Sequence, residues 1–179
     1  MTKKALRAAM KRRNLALTDE ERRSMSEQLI GRIGELPEFA AARCVGLFCA
    51  LPDEPDTSAA LAAWSRGKRV VVPRVEGETM QFYDYDPATM VCGAFGIAEP
   101  GVGARVCRPE EIGLVVVPGV AFDRCGARLG RGKGFYDRYL SQPGVRAVKI
   151  GTCYAHQIVD ALPVEPHDVT MDRVVWVGE

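Results

Sequence analysis

The sequence predicts a single three-layer α/β/α domain over residues 1–179, with a mainly parallel, Rossmann-like sheet on which an N-terminal helical segment, residues 1–36, packs. From residue 44 onward, short apolar runs rich in β-branched residues alternate with helical stretches, which is typical of parallel strands covered on both faces. The length of 179 residues and the apolar fraction of 47% suit one domain whose core needs no disulfide or metal support.

The N-terminal segment is predicted to form two helices. Residues 3–16 are rich in Ala, Leu, Lys and Arg, which favour helix. A spacing of four places three basic residues on one face: Lys3, Arg7 and Lys11. The second helix begins at Thr18, which makes a capping box with Glu21, and we expect Pro37 to end it. The buried face of this helix is expected to carry Met25, Leu29, Ile33 and Leu36.

The remaining chain is predicted to supply the sheet and two further helices. The expected strands are residues 44–49, 69–73, 80–85, 113–118, 146–150 and 173–177. The expected helices are residues 57–66, which Gly67 ends, and residues 135–141. Ligands of open parallel sheets bind at the carboxyl ends of the strands, so the loops that follow the strands are the places to look for a site.

Composition and charge exclude several classes of protein. The formal net charge of +1 disfavours a binder of bulk nucleic acid. The longest apolar run, residues 44–51, falls far below the roughly 18–20 residues of a membrane-spanning helix, so no membrane partner is expected. The six cysteines form no C-x-x-C pair and no secretory signal is visible, which favours reduced thiols in a cytoplasmic protein. Residues 1–17, with six basic residues and no acid, also fit a mitochondrial transit peptide.

The densest chemical signal is the glycine-rich segment G-A-R-L-G-R-G-K-G-F-Y-D at residues 126–137. It follows a predicted strand and leads into a helix, and its glycines let backbone N–H groups approach an anion closely. Arg128, Arg131 and Lys133 add full positive charges, so the segment is expected to bind a polyphosphate. It is neither a Walker A motif nor a dinucleotide fingerprint, and a flexible basic surface loop is the alternative interpretation.

Acidic residues near this segment are candidate metal and substrate ligands. Asp137 lies one helical turn beyond the glycines, where a carboxylate beside bound phosphates would suit Mg²⁺, although a solvated helix residue is the alternative interpretation. Glu54, in the loop after the first strand, would orient a polar substrate, although such a loop is also an ordinary solvated turn. Asp168 and Asp172 are candidates for a second metal or substrate carboxylate, and an ordinary turn is again the alternative. His156 has no visible partner and is interpreted as structural.

Taken together, the motifs resemble those of the 5-formyltetrahydrofolate cyclo-ligase family over almost the whole chain. They stand in the family's order: K-x-x-x-R at Lys3 and Arg7, D-E-x-x-T at Asp53, Glu54 and Thr57, F-G-I-x-E-P at residues 95–100, R-L-G-R-G-K-G-F-Y-D at residues 128–137, and H-D-V-x-x-D-R-V at residues 167–174. Two positions depart from the pattern. Phe135 replaces a common Tyr, which keeps the ring and removes the hydroxyl, and Cys153 replaces a small apolar residue without a visible reason.

The resemblance implies a ligase that converts 5-formyltetrahydrofolate to 5,10-methenyltetrahydrofolate with ATP and Mg²⁺, acting on small molecules as a monomer. It implies ATP contacts from Lys3, Arg7, Arg128, Leu129, Gly130, Arg131, Gly132, Lys133, Gly134, Phe135 and Tyr136. The folate would meet Glu54, Arg131, Gly132, Lys133, Gly134 and Phe135. Arg131 and Lys133 are the implied catalytic groups, and Asp137 and Asp168 the metal ligands, with Asp172 as the alternative to Asp168. A functional Lys3 and Arg7 would require the N-terminal helix to stay on the mature protein.

Three other functions remain open from the sequence. They are a phosphotransferase with another acceptor, a nucleic-acid-binding module that uses the basic segments, and a folate-binding protein without catalysis. The distribution of charge favours a small polyanion as the ligand. Residues 1–13 and 124–138 contain eleven basic residues and one acid, whereas the rest of the chain is acidic. Net neutrality therefore hides two basic segments that suit one nucleotide.

Overall fold

The computed structural model describes residues 2–93 and 96–178, and Phe95 of the F-G-I-x-E-P motif lies outside them. The helices in this part of the chain are α1 (Lys3–Leu15), α2 (Asp19–Gly34), α3 (Pro37–Ala41), α4 (Ser58–Trp64) and α5 (Phe135–Leu140). The strands are β1 (Cys44–Gly46), β2 (Arg69–Glu76), β3 (Thr79–Asp84), β4 (Met90–Cys92), β5 (Ala98–Pro100), β6 (Val106–Cys107), β7 (Leu114–Pro118), β8 (Ala121–Asp123), β9 (Arg128–Leu129), β10 (Val148–Tyr154), β11 (Ile158–Val159) and β12 (Arg173–Val177).

The centre of the fold is a seven-stranded sheet in the order β12-β10-β7-β1-β2-β3-β6. The five strands from β12 to β2 are parallel, and β3 and β6 extend one edge with antiparallel pairing. The predicted α/β class with a mainly parallel sheet is confirmed. Two small sheets, β11-β8-β9 and β4-β5, lie beside the main sheet.

Both faces of the main sheet are buried, because alternate residues of each strand enter different apolar clusters. On β7, Leu114 and Val116 enter one cluster, and Val115 and Val117 enter the other. Helices α2, α3 and α4 cover the first face through a set of buried side chains: Leu29, Ile33, Phe39 and Leu61. Helix α5 covers the second face with Tyr139 and Leu140. Continuous apolar strands are the sequence signature of this arrangement.

The two N-terminal helices have different roles in the fold. The capping box predicted for α2 is present, with Thr18 Oγ1 accepting from the Glu21 N–H at 3.2 Å. Helix α2 packs on the sheet beside β10 and β12, whereas α1 packs against β8 and residues 155–157. Met10 of α1 lies in a third apolar cluster with Ala121 and Leu129. Helix α1 is therefore attached to segments that follow the carboxyl ends of β7 and β10.

Several element boundaries differ from the prediction for local reasons. Pro37 does not end α2, which stops at Gly34, and instead occupies the first turn of α3, where its missing N–H costs nothing. The predicted strand at residues 44–49 ends at Gly46, and the chain then turns into the loop before α4. The strand predicted at residues 146–150 runs instead from Val148 to Tyr154. Its Gly151 is required because a Cβ there would lie 2.5 Å from the Phe122 ring.

None of the helices in the described residues is both long and apolar enough to cross a membrane.

The contact between α2 and the sheet gives a test of the packing. Ile33 is fully buried, so Ile33→Ala should lower the free energy of unfolding by about 2–5 kcal/mol through lost burial and a cavity. Ile30, on the same helix, is half-buried, and Ile30→Ala is the matched control with a smaller cost. Urea unfolding of the three proteins measures both values. Equal costs for the two substitutions would contradict the assigned packing of α2.

Candidate active site

The strand order contains one point at which the loops that follow two neighbouring strands diverge. Strands β1 and β7 are neighbours, but the chain leaves β1 toward β2 on one side and leaves β7 toward β10 on the other. The loops after their carboxyl ends therefore diverge and leave a crevice, which is where open α/β sheets bind ligands. The loop after β1, residues 47–57, is the acidic loop, and residues 130–134 form the glycine-rich loop that follows β9.

At two positions of the glycine-rich loop, the backbone has a conformation that only glycine adopts without strain. Gly132 has φ of 101° and Gly134 has φ of 70°, and Gly134 directly precedes α5. Lys133 is exposed between them, so its ammonium group is available to a ligand. The glycines predicted from sequence to shape a phosphate-binding loop therefore stand at the edge of the crevice.

Arg131 joins the glycine-rich loop to the acidic loop. Its Nε donates to Glu54 Oε1 at 2.9 Å, and its Nη1 and Nη2 donate to the two Asp53 carboxylate oxygens at 3.1 and 2.8 Å. The Arg131 side chain is 38% exposed, whereas the side chains of Asp53 and Glu54 are 10% and 9% exposed. Burial alone would lower the pKa of Arg131, but its bonds and charge interactions with Asp53 and Glu54 outweigh burial and raise that pKa.

Arg128 is buried beneath the same loop instead of facing the crevice. Its side chain is only 4% exposed, with Nη1 donating to the Pro118 carbonyl at 3.1 Å and Nη2 to Asp137 Oδ2 at 2.9 Å. The other Asp137 oxygen, Oδ1, accepts from the Val169 N–H at 3.2 Å. Arg128 therefore supports the loop and Asp137 from below, and any contribution to ATP comes from its backbone or its charge.

Helix α1 brings its basic stripe to the crevice. Arg7 Nε donates to the Gly130 carbonyl at 2.8 Å, which ties α1 to the glycine-rich loop. Lys3 Nζ lies 3.3 Å from Glu165 Oε1 and 3.6 Å from Asp168 Oδ2. The N-terminal and C-terminal motifs, far apart in the sequence, thus meet beside the glycine-rich loop.

Two cavities flank the glycine-rich loop. The first, about 190 Å³, is lined by Arg7, Ala8, Lys11, Asn14, Asp53, Gly119, Val120 and Arg131. The second, about 250 Å³, is lined by Gly132, Lys133, Gly134, Asp137, Arg138, Ser141 and His167. Arg131 thus lines the first cavity together with Asp53 of the acidic loop, while Lys133 and Asp137 line the second.

The aromatic pair at the start of α5 packs near both loops. The Arg138 guanidinium lies 5.4 Å from the Phe135 ring centroid, and the Arg128 guanidinium lies 5.6 Å from that of Tyr136. Burial and the nearby Glu54 charge raise the pKa of Tyr136, so its hydroxyl is neutral.

Burial and the Glu99 charge raise the pKa of Cys49 to about 11, so this thiol is not an activated nucleophile.

The carboxylates near the second cavity fit Mg²⁺, which prefers one or two carboxylates and phosphate oxygens. Ligand atoms of Glu165, His167 and Asp168 lie within 4.8 Å of one another. Asp137 lines the cavity, and its oxygens keep lone pairs beyond those used by Arg128 and Val169. Asp172 lies elsewhere: it binds both the N–H and the ammonium of Lys149, near the amino end of β10.

Three residues near the crevice were not among the candidate ligand-binding residues predicted from sequence: Asn14, Asp53 and His156. Asn14 of α1 is buried, donates to the Asp53 carbonyl at 2.9 Å and is hydrogen-bonded to His156 Nε2. Desolvation and the Arg13 charge lower the pKa of His156, which favours its neutral form. The adjacent acids at residues 53–54 signalled Asp53, whereas no pattern signalled the bridge through Asn14.

A parallel sheet with a basic, glycine-rich loop at its switch point defines an α/β enzyme that binds a phosphorylated ligand. The family model of 5-formyltetrahydrofolate cyclo-ligases matches residues 1–177. The chain therefore belongs to the 5-formyltetrahydrofolate cyclo-ligase family, whose members form 5,10-methenyltetrahydrofolate with ATP as co-substrate, and the resemblance carried by its motifs is confirmed.

Individual relatives agree with this assignment over nearly their whole length. The chain is 33% identical to a 5-formyltetrahydrofolate cyclo-ligase of Mycolicibacterium smegmatis, over 97% of this chain and 93% of that protein. It is 32% identical to the Escherichia coli protein of the same name, over 93% and 95%. The solved 5,10-methenyltetrahydrofolate synthetase of Aquifex aeolicus superposes with a TM-score of 0.88 at 38% identity, covering 98% of this chain and 90% of that one. The Mycoplasma pneumoniae synthetase gives a TM-score of 0.79 at 25% identity, with 98% of both chains covered.

The buried pair of Arg128 and Asp137 gives a test of the site's architecture. Arg128→Met should lower the free energy of unfolding by about 3–5 kcal/mol, because it leaves the Asp137 carboxylate without its buried partner. Lys149→Met removes a more exposed pair with Asp172 and should cost roughly 0–1 kcal/mol. Chemical denaturation of both variants measures the difference. A cost for Arg128→Met no larger than that of the control would refute its supporting role.

Proposed function

We propose that the protein activates the formyl oxygen of 5-formyltetrahydrofolate with the γ-phosphoryl group of ATP. A formamide oxygen is a poor leaving group, and phosphorylation makes it a good one. N10 of the folate then attacks the activated carbon, the N10 proton is lost, and phosphate leaves as the ring closes. The products are 5,10-methenyltetrahydrofolate, ADP and phosphate. The protein's part in this reaction is to position the two substrates and to neutralise phosphate charge.

The observation that carries this proposal is the direct contact between the two loops. Arg131 of the glycine-rich loop bonds Glu54 of the acidic loop, so the proposed phosphate side and the proposed folate side meet at one guanidinium. A transfer between two bound substrates requires such closeness, since the reacting atoms must come within about 3–3.5 Å. The exposed Lys133 stands in the same loop and would neutralise the phosphate charge.

The remaining residues have distinct proposed parts. We assign ATP to the backbone of residues 128–136 with Lys3 and Arg7, and the folate to Glu54 with residues 131–135. Asp137 and Asp168 would hold Mg²⁺, which when bound would neutralise part of the phosphate charge. Asp172 is bonded to Lys149 near the amino end of β10, away from the crevice, and this position supports Asp168 as the second ligand. We further propose a monomer in the cytoplasm that keeps α1, since Arg7 reaches the loop only from that helix.

The reaction itself is the first test. Purified protein with 5-formyltetrahydrofolate and Mg-ATP should form the methenyl product, followed by its near-ultraviolet absorption, together with an equal amount of ADP. Omission of ATP should abolish product formation. A folded protein that forms no product from fresh substrate would refute the proposal, and ADP release that requires a non-folate acceptor instead would indicate a phosphotransferase.

Asp137→Asn tests the metal role within that reaction. Loss of this carboxylate should lower turnover by about 100-fold or more, the scale of losing one charge-stabilising group. The reason is that an amide oxygen is a weaker ligand for Mg²⁺ than a carboxylate. The variant should stay folded with a lower free energy of unfolding, because it also loses the charge that pairs with the buried Arg128. Circular dichroism checks the fold, and a Mg²⁺ titration at saturating ATP reports the metal requirement. Unchanged activity over the titration would remove Asp137 from the metal site.

Asp168→Asn and Asp172→Asn separate the two candidates for the second ligand. Asp168→Asn should raise the Mg²⁺ concentration that gives half-maximal activity, because it removes a carboxylate beside Lys3 and His167. Asp172→Asn is the matched control, and its Mg²⁺ requirement should equal that of the unsubstituted protein. The reverse pattern would reassign the ligand.

A further inference from the structure

All three guanidinium nitrogens of Arg131 contact carboxylates in this structure, and among the described residues only one of its five N–H groups, on Nη1, has no carboxylate acceptor. Nε donates to Glu54 at 2.9 Å, Nη1 donates to Asp53 at 3.1 Å, and Nη2 lies 2.8 Å from Asp53 Oδ1 and 2.9 Å from Glu54 Oε1. One guanidinium between two carboxylates leaves a net charge of −1. Such a group repels a polyphosphate unless the arginine turns away from at least one carboxylate.

The acidic side of this cluster is fixed by bonds to its main chain. The Asp53 carbonyl accepts from Asn14 Nδ2 at 2.9 Å, and the Glu54 carbonyl accepts from Arg22 Nε at 3.1 Å. The second carboxylate oxygen of Glu54 accepts from the Leu51 N–H at 2.9 Å. Prolines at residues 52 and 55 stiffen the loop further. The main chain of both residues and the Glu54 carboxylate are therefore held in place whether or not Arg131 is bound.

The basic side is the one that can turn. Arg131 stands between Gly130 and Gly132, and glycine allows the widest range of backbone angles. Its side chain is 38% exposed, several times more than those of its two partners. Lys133, in the same loop, is exposed beside the second cavity. A turn of the Arg131 side chain would bring its charge toward that phosphate side.

Resting on the proposed function, we propose that Asp53 is a positioning residue that holds Arg131 on Glu54 until the folate arrives. Substrate N–H groups that bind Glu54 compete with Arg131 for the same Oε1 oxygen. Arg131 then keeps only Asp53, becomes available to the γ-phosphate, and completes the phosphate site. Asp53 in this way makes tight binding of the ATP phosphates depend on occupation of the folate side, which limits hydrolysis of ATP without folate.

Asp53→Asn tests this role, because it removes the charge and keeps the size. In the absence of folate, the variant should bind the non-hydrolysable analogue Mg-AMPPNP about five- to tenfold more tightly, at the lower end of typical coupling between sites. Its folate-independent ATP hydrolysis should rise, and its KM for ATP should fall more than its KM for folate changes. Asp53→Glu should restore the behaviour of the unsubstituted protein. These readouts separate positioning from a merely structural role.

Two controls decide whether the effect acts through Arg131. Asp56→Asn makes the same change of charge in the same loop, where the Asp56 side chain bonds only the Ser58 N–H among the described residues, and it should leave analogue binding unchanged. In an Arg131→Gln background, Asp53→Asn should no longer strengthen analogue binding. An equal effect in Asp56→Asn, or an effect that persists without Arg131, would overturn the proposal.

A last experiment measures binding of Mg-AMPPNP to the unsubstituted protein, so its result does not depend on whether a variant folds. Addition of 5-formyltetrahydrofolate should tighten binding of Mg-AMPPNP about fivefold or more. Bound folate that leaves analogue affinity unchanged would overturn the role of Asp53. Failure of the folate to bind at all would refute the proposed function instead, and the comparison of Asp53→Asn with Asp56→Asn in the absence of folate would still decide the role of Asp53.

Discussion

The ion pair between Arg131 and the carboxylates of Asp53 and Glu54 is the interaction on which the arrangement of the site depends. It joins segments 77 and 78 residues apart in the sequence, and it does so because β1 and β7 are adjacent parallel strands. The turn toward β2 on one side and toward β10 on the other opens the crevice between the loops. Among the described residues, the bonds of Arg131 are the only hydrogen bonds that join the glycine-rich loop directly to the acidic loop.

The two arginines of the glycine-rich segment use the same chemistry for different ends. Arg128 is almost completely buried and carries its bond to Asp137 inside the protein, where a lost partner is costly. Arg131 is more exposed, but its two carboxylate partners are nearly buried, so it can leave one of them at low cost only when a ligand donor takes its place. Burial therefore separates an arginine that holds the loop from one that is free to respond to a ligand.

Much of this protein was predictable from sequence because local patterns are strong where the chain is regular. Alternation and β-branched runs located the long parallel strands, and Thr18 with Glu21 located the start of α2. The short strands β8, β9 and β11 were missed, since two or three residues carry no periodicity and pair only through the tertiary fold. The glycine-rich loop and Glu54 were identified by residue type. The burial of Arg128 and the bridge through Asn14 depend on packing between distant segments, which no local pattern encodes.

The ion pairs determine how much of the positive charge in the two basic segments is available to a ligand. The two basic segments do not present their whole charge to a ligand, because Arg131 is paired with Asp53 and Glu54, and Arg128 with Asp137. Lys3 is likewise paired with Glu165 and Asp168. Within residues 2–93 and 96–178, no ion pair is formed by Arg7, Lys11 or Lys133. Arg7 and Lys11 line the first cavity and Lys133 lines the second, so both cavities keep cations that are available to a phosphate. The paired cations become available only when a ligand or metal displaces their carboxylate partners.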